Sequence, residues 1–470
     1  MDASSRFGKE ADQGIKFAGV AWGLFPSVQA GWVVSSEKWF KVKGIDYLKL
    51  TGGYGISGND NIDYYATRTY FSNVQFLDKA TALVLSNIQN PKLQWETTKR
   101  YNVGLQASML HNRLNLGVEY YNAKTDHLLV RKSVSDITGL ATMWSNDGSL
   151  KNQGVDINVN AMLVQYKKFR WQAGFTIGHY KNEITSLPST TNNIIKTYAL
   201  NADGSRNEAS MKEILGYTSS IYGESNILTA VGHAAGVFYG YKTAGVFSND
   251  AEARAAGKDG DYLHYPTGIS EQPSRDFKAG DVHFIDQNGD GWINEADKVI
   301  IGDPNPDIYG NIYTSLSWKG LKLDVNFKYS LGNDVYNYQR SQLESLNSNW
   351  NQTTAAVNRW RYEGQKTDMP RVMDTGSDQW VNNERFSDRW IEDGSYLKIK
   401  NIRLTYKIPV NLSWLLGLSV WGECNNVYTI TKYTGSDPEF SAGNGVLYQG
   451  IDAGYLPKNR NFNLGVTINL

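Results

Sequence analysis

One cysteine, Cys424, occurs in 470 residues, so no disulfide can form within the chain. It keeps phase with Leu418 and Val420 and reads as a small hydrophobe. No run of 18 apolar residues exists, which excludes a transmembrane helix. Excess charge of either sign is also absent. The 47 basic residues balance 47 acidic ones, which argues against nucleic acid as a partner, because that would call for a basic patch. The opening Met1-Asp2-Ala3-Ser4-Ser5-Arg6-Phe7-Gly8 lacks an apolar h-region, so no signal peptide is read there. Taken alone, that start predicts a cytoplasmic protein. Histidine is sparse: His111, His127, His179, His233, His264 and His283 are scattered, with no pair at metal spacing. No H-E-x-x-H or G-x-S-x-G occurs, and no spacing marks a catalytic carboxylate pair, so the expectation is a protein that is not an enzyme.

What the chain does have is alternation. At the C-terminus Phe462, Leu464, Val466, Ile468 and Leu470 alternate with Asn461, Asn463, Gly465, Thr467 and Asn469. Strand side chains point to opposite faces in turn, so one face is apolar and the other polar. The same pattern runs through Tyr101–Met109, Leu114–Tyr120, Val155–Ala161 and Leu321–Leu331. In Leu397–Ile408 the parity slips at Lys400–Asn401, which reads as a β-bulge. A soluble sandwich or propeller would alternate too, and the connections separate the readings. Very short turns at His111–Asn112, Tyr166–Lys168 and Lys319–Gly320 alternate with long polar stretches near 58–94, 131–152, 188–306, 338–393 and 434–458. Tight turns at one end and long loops at the other are the pattern of an outer-membrane barrel. The expectation is an all-β, transmembrane antiparallel β-barrel of about eleven or twelve strands, with long extracellular loops and 188–306 as one large loop insertion. The 29 Tyr, 14 Trp and 16 Phe then suit interfacial girdles and ligand-facing loops.

The sharpest chemical motif is Asp286-Gln287-Asn288-Gly289-Asp290-Gly291-Trp292-Ile293-Asn294-Glu295-Ala296-Asp297. Oxygen donors at Asp286, Asn288 and Asp290, a turn glycine at Gly291, the Trp292 carbonyl, Asn294 and the closing carboxylate of Asp297 follow the spacing that wraps a loop around Ca²⁺. Aspartate in place of glutamate at the closing position is a departure, and an Asx-rich turn that binds nothing is the alternative. The expected role is structural, an ion stapling an exposed loop. Gly53-Tyr54-Gly55-Ile56-Ser57-Gly58 fits G-x-G-x-x-G, but Asn59-Asp60-Asn61 follows rather than a helix, so it reads as a turn at the barrel rim.

Gly280-Asp281-Val282-His283-Phe284 before that acidic loop, and Lys298-Val299-Ile300-Ile301-Gly302-Asp303-Pro304-Asn305-Pro306 after it, resemble the SusC/RagA family of TonB-dependent outer-membrane transporters. So do Ser4–Gly8, Phe25-Pro26-Ser27-Val28, Asn90-Pro91, Leu93–Thr98, Ser387–Leu397, Asn425–Thr429 and Asp437-Pro438-Glu439, in order along nearly the whole chain. The resemblance implies that residues 1–470 correspond to the C-terminal half of a 22-strand barrel, with plug domain and signal peptide absent. It further implies uptake of glycan oligosaccharides or peptides across the outer membrane of a Gram-negative, Bacteroidetes-like cell. The implied partners are membrane lipid, a SusD-like lipoprotein, and TonB acting through the plug region. Trp350, Trp360 and Trp380, set among Asn, Gln, Arg and Asp, are candidate substrate contacts, because aromatic faces beside planar polar groups suit sugars; packing within the loops is the alternative. A soluble, calcium-stabilised carbohydrate-binding β-protein is the second class the sequence leaves open.

Overall fold

The computed structural model describes residues 24–469 except 63–65, 77–79, 91, 135–136, 138, 141, 190–193, 202–205, 224, 268–273 and 411–413. The motif at Ser4–Gly8, Pro91 and the terminal Leu470 lie outside the described residues.

Among the described residues, eleven strands form one antiparallel sheet, and each pairs with the next of the eleven in chain order. We number them β1 (Ser27–Val33), β2 (Ile45–Asn59), β3 (Glu96–Met109), β4 (Leu114–Ser133), β5 (Thr142–Tyr166), β6 (Phe169–Ser186), β7 (Ile308–Trp318), β8 (Leu321–Leu331), β9 (Tyr396–Ile408), β10 (Gly417–Thr431) and β11 (Asn461–Asn469). The count agrees with the alternation, and the parity slip is real: the register between β8 and β9 shifts between Asn326 and Phe327, and that between β9 and β10 skips Lys400.

The register joins the apolar phases of all eleven strands into one face. Ile468, Val466 and Leu464 sit opposite Leu418, Val420 and Gly422. Those in turn face Ile408, Tyr406 and Leu404, which continue to Leu321 and Leu323. The outer face stays open to the surroundings, with Leu464 89% exposed. Trp32, Trp171 and Trp318 lie on it near the short connections, while Tyr54, Tyr101, Tyr120 and Tyr428 lie farther toward the long loops, all exposed. Eleven residues of β8, at about 3.3 Å each and tilted about 40°, span about 28 Å, the height of a hydrocarbon core flanked by aromatic girdles.

Short connections fall at one end. Lys319 and Gly320 both have positive φ (48° and 92°), the geometry of a two-residue hairpin turn whose twist matches the strands. Gly417 pairs with Asn469, so β11 finishes at this short-turn end.

Two expectations need correcting. The stretch 131–152 is mostly strand: β4 and β5 run for 20 and 25 residues and leave only 134–141 between them. Local polarity read as loop because this wall continues past the apolar band, where both faces are wet. The glycine motif at 53–58 is not a rim turn but lies inside β2. A Cβ on Gly53 would come within 2.6 Å of Asn102 Oδ1, so glycine there serves close cross-strand approach.

Candidate functional site

The long-loop end carries the folded mass. Between β6 and β7 the chain builds a separate five-stranded sheet, ordered Val299–Gly302, Ala235–Gly240, Ser225–Ala230, Arg206–Ser220, Ile194–Leu200. A short helix, Asp250–Ala256, is capped by Asn249, whose side chain accepts from Glu252 N. The largest apolar clusters are here rather than in the barrel wall. One joins Tyr241, Phe247, Leu263, Phe277, Phe284 and Ile293 to Val381 of the next long loop. Another draws Phe238 and Ile301 together with Tyr336, Phe386, Trp390 and Ile451, so three loops share one core.

Two buried polar constructions lock these loops. The Asp281 carboxylate is inaccessible and accepts from Arg371 Nε (2.8 Å) and Nη2 (2.7 Å), Asn383 Nδ2 (2.9 Å) and Lys278 N (2.8 Å). Arg385 has no carboxylate partner among the described residues. Its guanidinium lies 4.7–5.5 Å from the ring centres of Tyr265, Tyr241, Phe284 and Phe277. It donates to the carbonyls of Val381 (3.0 Å), Asn382 (3.2 Å) and Ile293 (3.3 Å). Neighbouring Arg389 is held down to about 10 by burial and by the charge of Arg340. Tyr433 donates to Asp452 (2.6 Å), and burial with that bond pushes its phenol far above its usual value.

The calcium-like loop is a tight cage of its own amides. Asp286 accepts from Gly289 N (2.8 Å) and Gly291 N (2.7 Å), and Asp290 from Trp292 N (2.8 Å). Asn288 accepts from Asp290 N (3.0 Å), and Asn294 from Ala296 N (2.8 Å). Asp297 closes the loop, taking Gln287 N (2.9 Å) and Asn294 N (2.8 Å). Burial pushes Asp297 up to about 6, and the charges of Asp286 and Asp290 add to the rise. The donors are hard oxygens of the type calcium takes. Among the described residues, however, no three His, Cys, Asp or Glu side chains converge as a metal cluster.

The three tryptophans separate. Trp350 is exposed. Trp360 donates to Ser248 O (3.0 Å) and covers Gly280, where a Cβ would meet the ring at 2.5 Å. Trp380 sits edge-on to Tyr265 at 5.8 Å. Trp360 and Trp380 thus brace the insertion against the 332–395 loop, and the structure does not gather the three into one surface.

A charged cluster on the inner wall had no role in the sequence reading. Glu439 and Asp437, from the loop between β10 and β11, meet Lys328 of β8 and Lys398 of β9. Lys328 Nζ is 2.6 Å from Glu439, and Lys398 Nζ is 2.9 Å from Asp437 and 3.0 Å from Glu439. Lys458 and Lys400 approach Glu439 at 3.1 and 3.5 Å. Burial works against the Glu439 charge, but hydrogen bonds from Lys328, Lys398 and Lys458 outweigh it and hold the carboxyl well below its usual range. Asp437-Pro438-Glu439 was legible as a motif. Its partners were not, because only strand register brings Lys328 and Lys398 side by side.

An apolar belt with aromatic rims, a polar inner wall, and short turns opposite folded loops define a section of a transmembrane β-barrel. The family model described as TonB dependent receptor-like, beta-barrel, matches residues 2–276, and the chain belongs to that family. Its kinship with SusC and RagA, read from the motifs, holds. TonB-dependent receptor P3 of Formosa agariphila is 29% identical over 99% of this chain and 43% of that protein. TonB-dependent receptor SusC of Bacteroides thetaiotaomicron is 28% identical over 99% of this chain and 41% of that protein. The solved RagAB peptide importer in its closed-closed state matches 99% of this chain and 44% of that one, with a TM-score of 0.73 at 23% identity. The chain thus spans less than half the length of these relatives.

Proposed function

We propose that these residues form the C-terminal wall and the outer loops of a TonB-dependent importer in the outer membrane, taking up glycan oligosaccharides or peptides. A SusD-like lipoprotein would work at the loop end, and energy would come from TonB. The observation that carries the reading is the continuous apolar outer face across all eleven strands, opposite a polar inner one. In a soluble sandwich that face would be covered. Among the described residues β1 and β11 each have a strand neighbour on one side only, and unpaired strand groups in lipid would cost several kcal/mol each. The wall therefore works as part of a larger closed barrel.

The test is an immunoblot of the host's outer-membrane fraction with an antibody against residues 281–306. The expected band runs well above the mass of 470 residues and shifts on heating in detergent. A soluble band near the mass of this chain alone would overturn the reading and favour a soluble carbohydrate-binding protein.

We further propose that Asp286, Asn288, Asp290, the Trp292 carbonyl, Asn294 and Asp297 hold Ca²⁺ as a structural staple. The donor order supports it. A chelator should raise hydrogen exchange across 286–297 about tenfold, with calcium, not magnesium, restoring protection. Unchanged exchange with and without calcium would refute it.

A further inference from the structure

Lys328 and Lys398 are cross-strand partners on the inner wall, a placement of like charges that destabilises a sheet unless an anion sits over it. Lys398 is only 2% exposed. What covers it is the chain's own loop. Residues 435–448 carry two charges, Asp437 and Glu439, and both are engaged by lysines: Lys328, Lys398, Lys400 and Lys458. The flanks of this strap are fixed independently. Thr434 N donates to Glu392 at 2.9 Å, and Ile451–Asp452 pairs in parallel with Tyr336–Asn337. Between them Ala442 and Leu447 pack against the shared core, Val446 lies over Gly236, Phe440 meets the Tyr433 ring at 5.9 Å, and the Ala442 carbonyl accepts from Tyr455 Oη at 2.8 Å. Gly445 sits at φ 120°, a backbone conformation that glycine adopts without strain.

Three wall ammonium groups, joined by Lys458 of the same loop, converge on two carboxylates, which leaves excess positive charge at the cluster. We propose that Lys328, Lys398 and Lys400 form a carboxylate-binding site on the inner wall, and that Glu439 and Asp437 occupy it as a tethered internal competitor. A ligand carboxylate would displace the strap, and the strap would return when the ligand moves on. A tethered competitor acts at high effective concentration, so removing it raises the affinity for an external carboxylate without adding any new contact. The idea rests on the reading that this wall lines a ligand path, and it names one chemical class for that ligand.

The test uses the protein isolated in detergent from its native envelope, as parent and as E439Q. Glutamine keeps the shape and removes the charge. Binding of trigalacturonate, triglutamate and neutral maltotriose is measured by calorimetry. At least one acidic trimer should bind E439Q about tenfold more tightly than the parent, maltotriose should show no gain, and K328Q or K400Q added to E439Q should abolish the gain. A gain confined to trigalacturonate assigns an acidic sugar; one confined to triglutamate assigns an acidic peptide. A merely structural Glu439 predicts equal or weaker binding in E439Q, and that result overturns the proposal. Should E439Q fail to reach the membrane, D437N removes one of the two carboxylates held by Lys398 and should show a smaller gain; no gain there overturns the proposal equally. Heat-modifiable migration of the same preparations reports separately on the barrel reading, so the two can fail independently.

Discussion

Replacing Asp281 with alanine cuts a buried polar junction between two of the long loops. The carboxylate is inaccessible and collects four hydrogen bonds, two of them from one guanidinium. Its loss strands Arg371 and Asn383 against a hole. Breaking a buried pair by removing one partner costs about 3–5 kcal/mol, because the remaining charge is uncompensated. At about 1.4 kcal/mol per factor of ten, local opening should become roughly a hundredfold to a few thousandfold more frequent. Hydrogen exchange in 278–285 and 369–373, measured on protein from the native envelope, reads this directly, because both stretches open together when the pair breaks. Exchange in β8 and β9 should not change. Asp281→Leu combined with Arg371→Met should recover most of the protection, since it replaces the pair by apolar volume. A change below about threefold in D281A would refute the reasoning, as would opening spread evenly through the barrel strands.

Other outcomes follow from the same geometry. Leu464→Lys puts a charge on the lipid face at a cost of about 2–4 kcal/mol near mid-membrane and should reduce heat-modifiable protein, while Asn463→Lys on the inner face should assemble normally. Arg385→Ala takes the guanidinium donor from three carbonyls and empties an aromatic box, so it should lower the melting temperature of the loops, and Arg385→Lys should rescue less than half, because one ammonium cannot reproduce the planar fork. The depressed Glu439 carboxyl stabilises the strap fully above the unfolded value of about 4.3 and loses that contribution as pH falls below it. Exchange of 435–448, corrected for intrinsic rates, should therefore rise between pH 5 and pH 3 in the parent but not in E439Q.

The strands were legible because a membrane wall exposes its periodicity. Lipid on one side and water on the other force strict alternation, so Leu321–Leu331 and Asn461–Asn469 could be read to within a residue, as could the bulge at Lys400. Where both faces meet water the signal vanishes, so the last three residues of β4 and the first eleven of β5 lack the alternation that marks a strand. The glycines of β2 misled for a related reason: their purpose is close approach across a register that local sequence does not encode.

The class of wall, its short-turn end and the order of oxygens in the 286–297 loop are written in local pattern, since each depends on neighbours in the chain. Only the tertiary structure decided where the core lies, because Phe238, Phe386 and Ile451 meet across three separate loops. It also decided that Trp360 braces Ser248 and Gly280, that Arg385 sits among four rings, and that Glu439 rests on Lys328 and Lys398. Those contacts join residues tens to hundreds of positions apart, and their energies depend on burial and register, neither of which a local pattern carries.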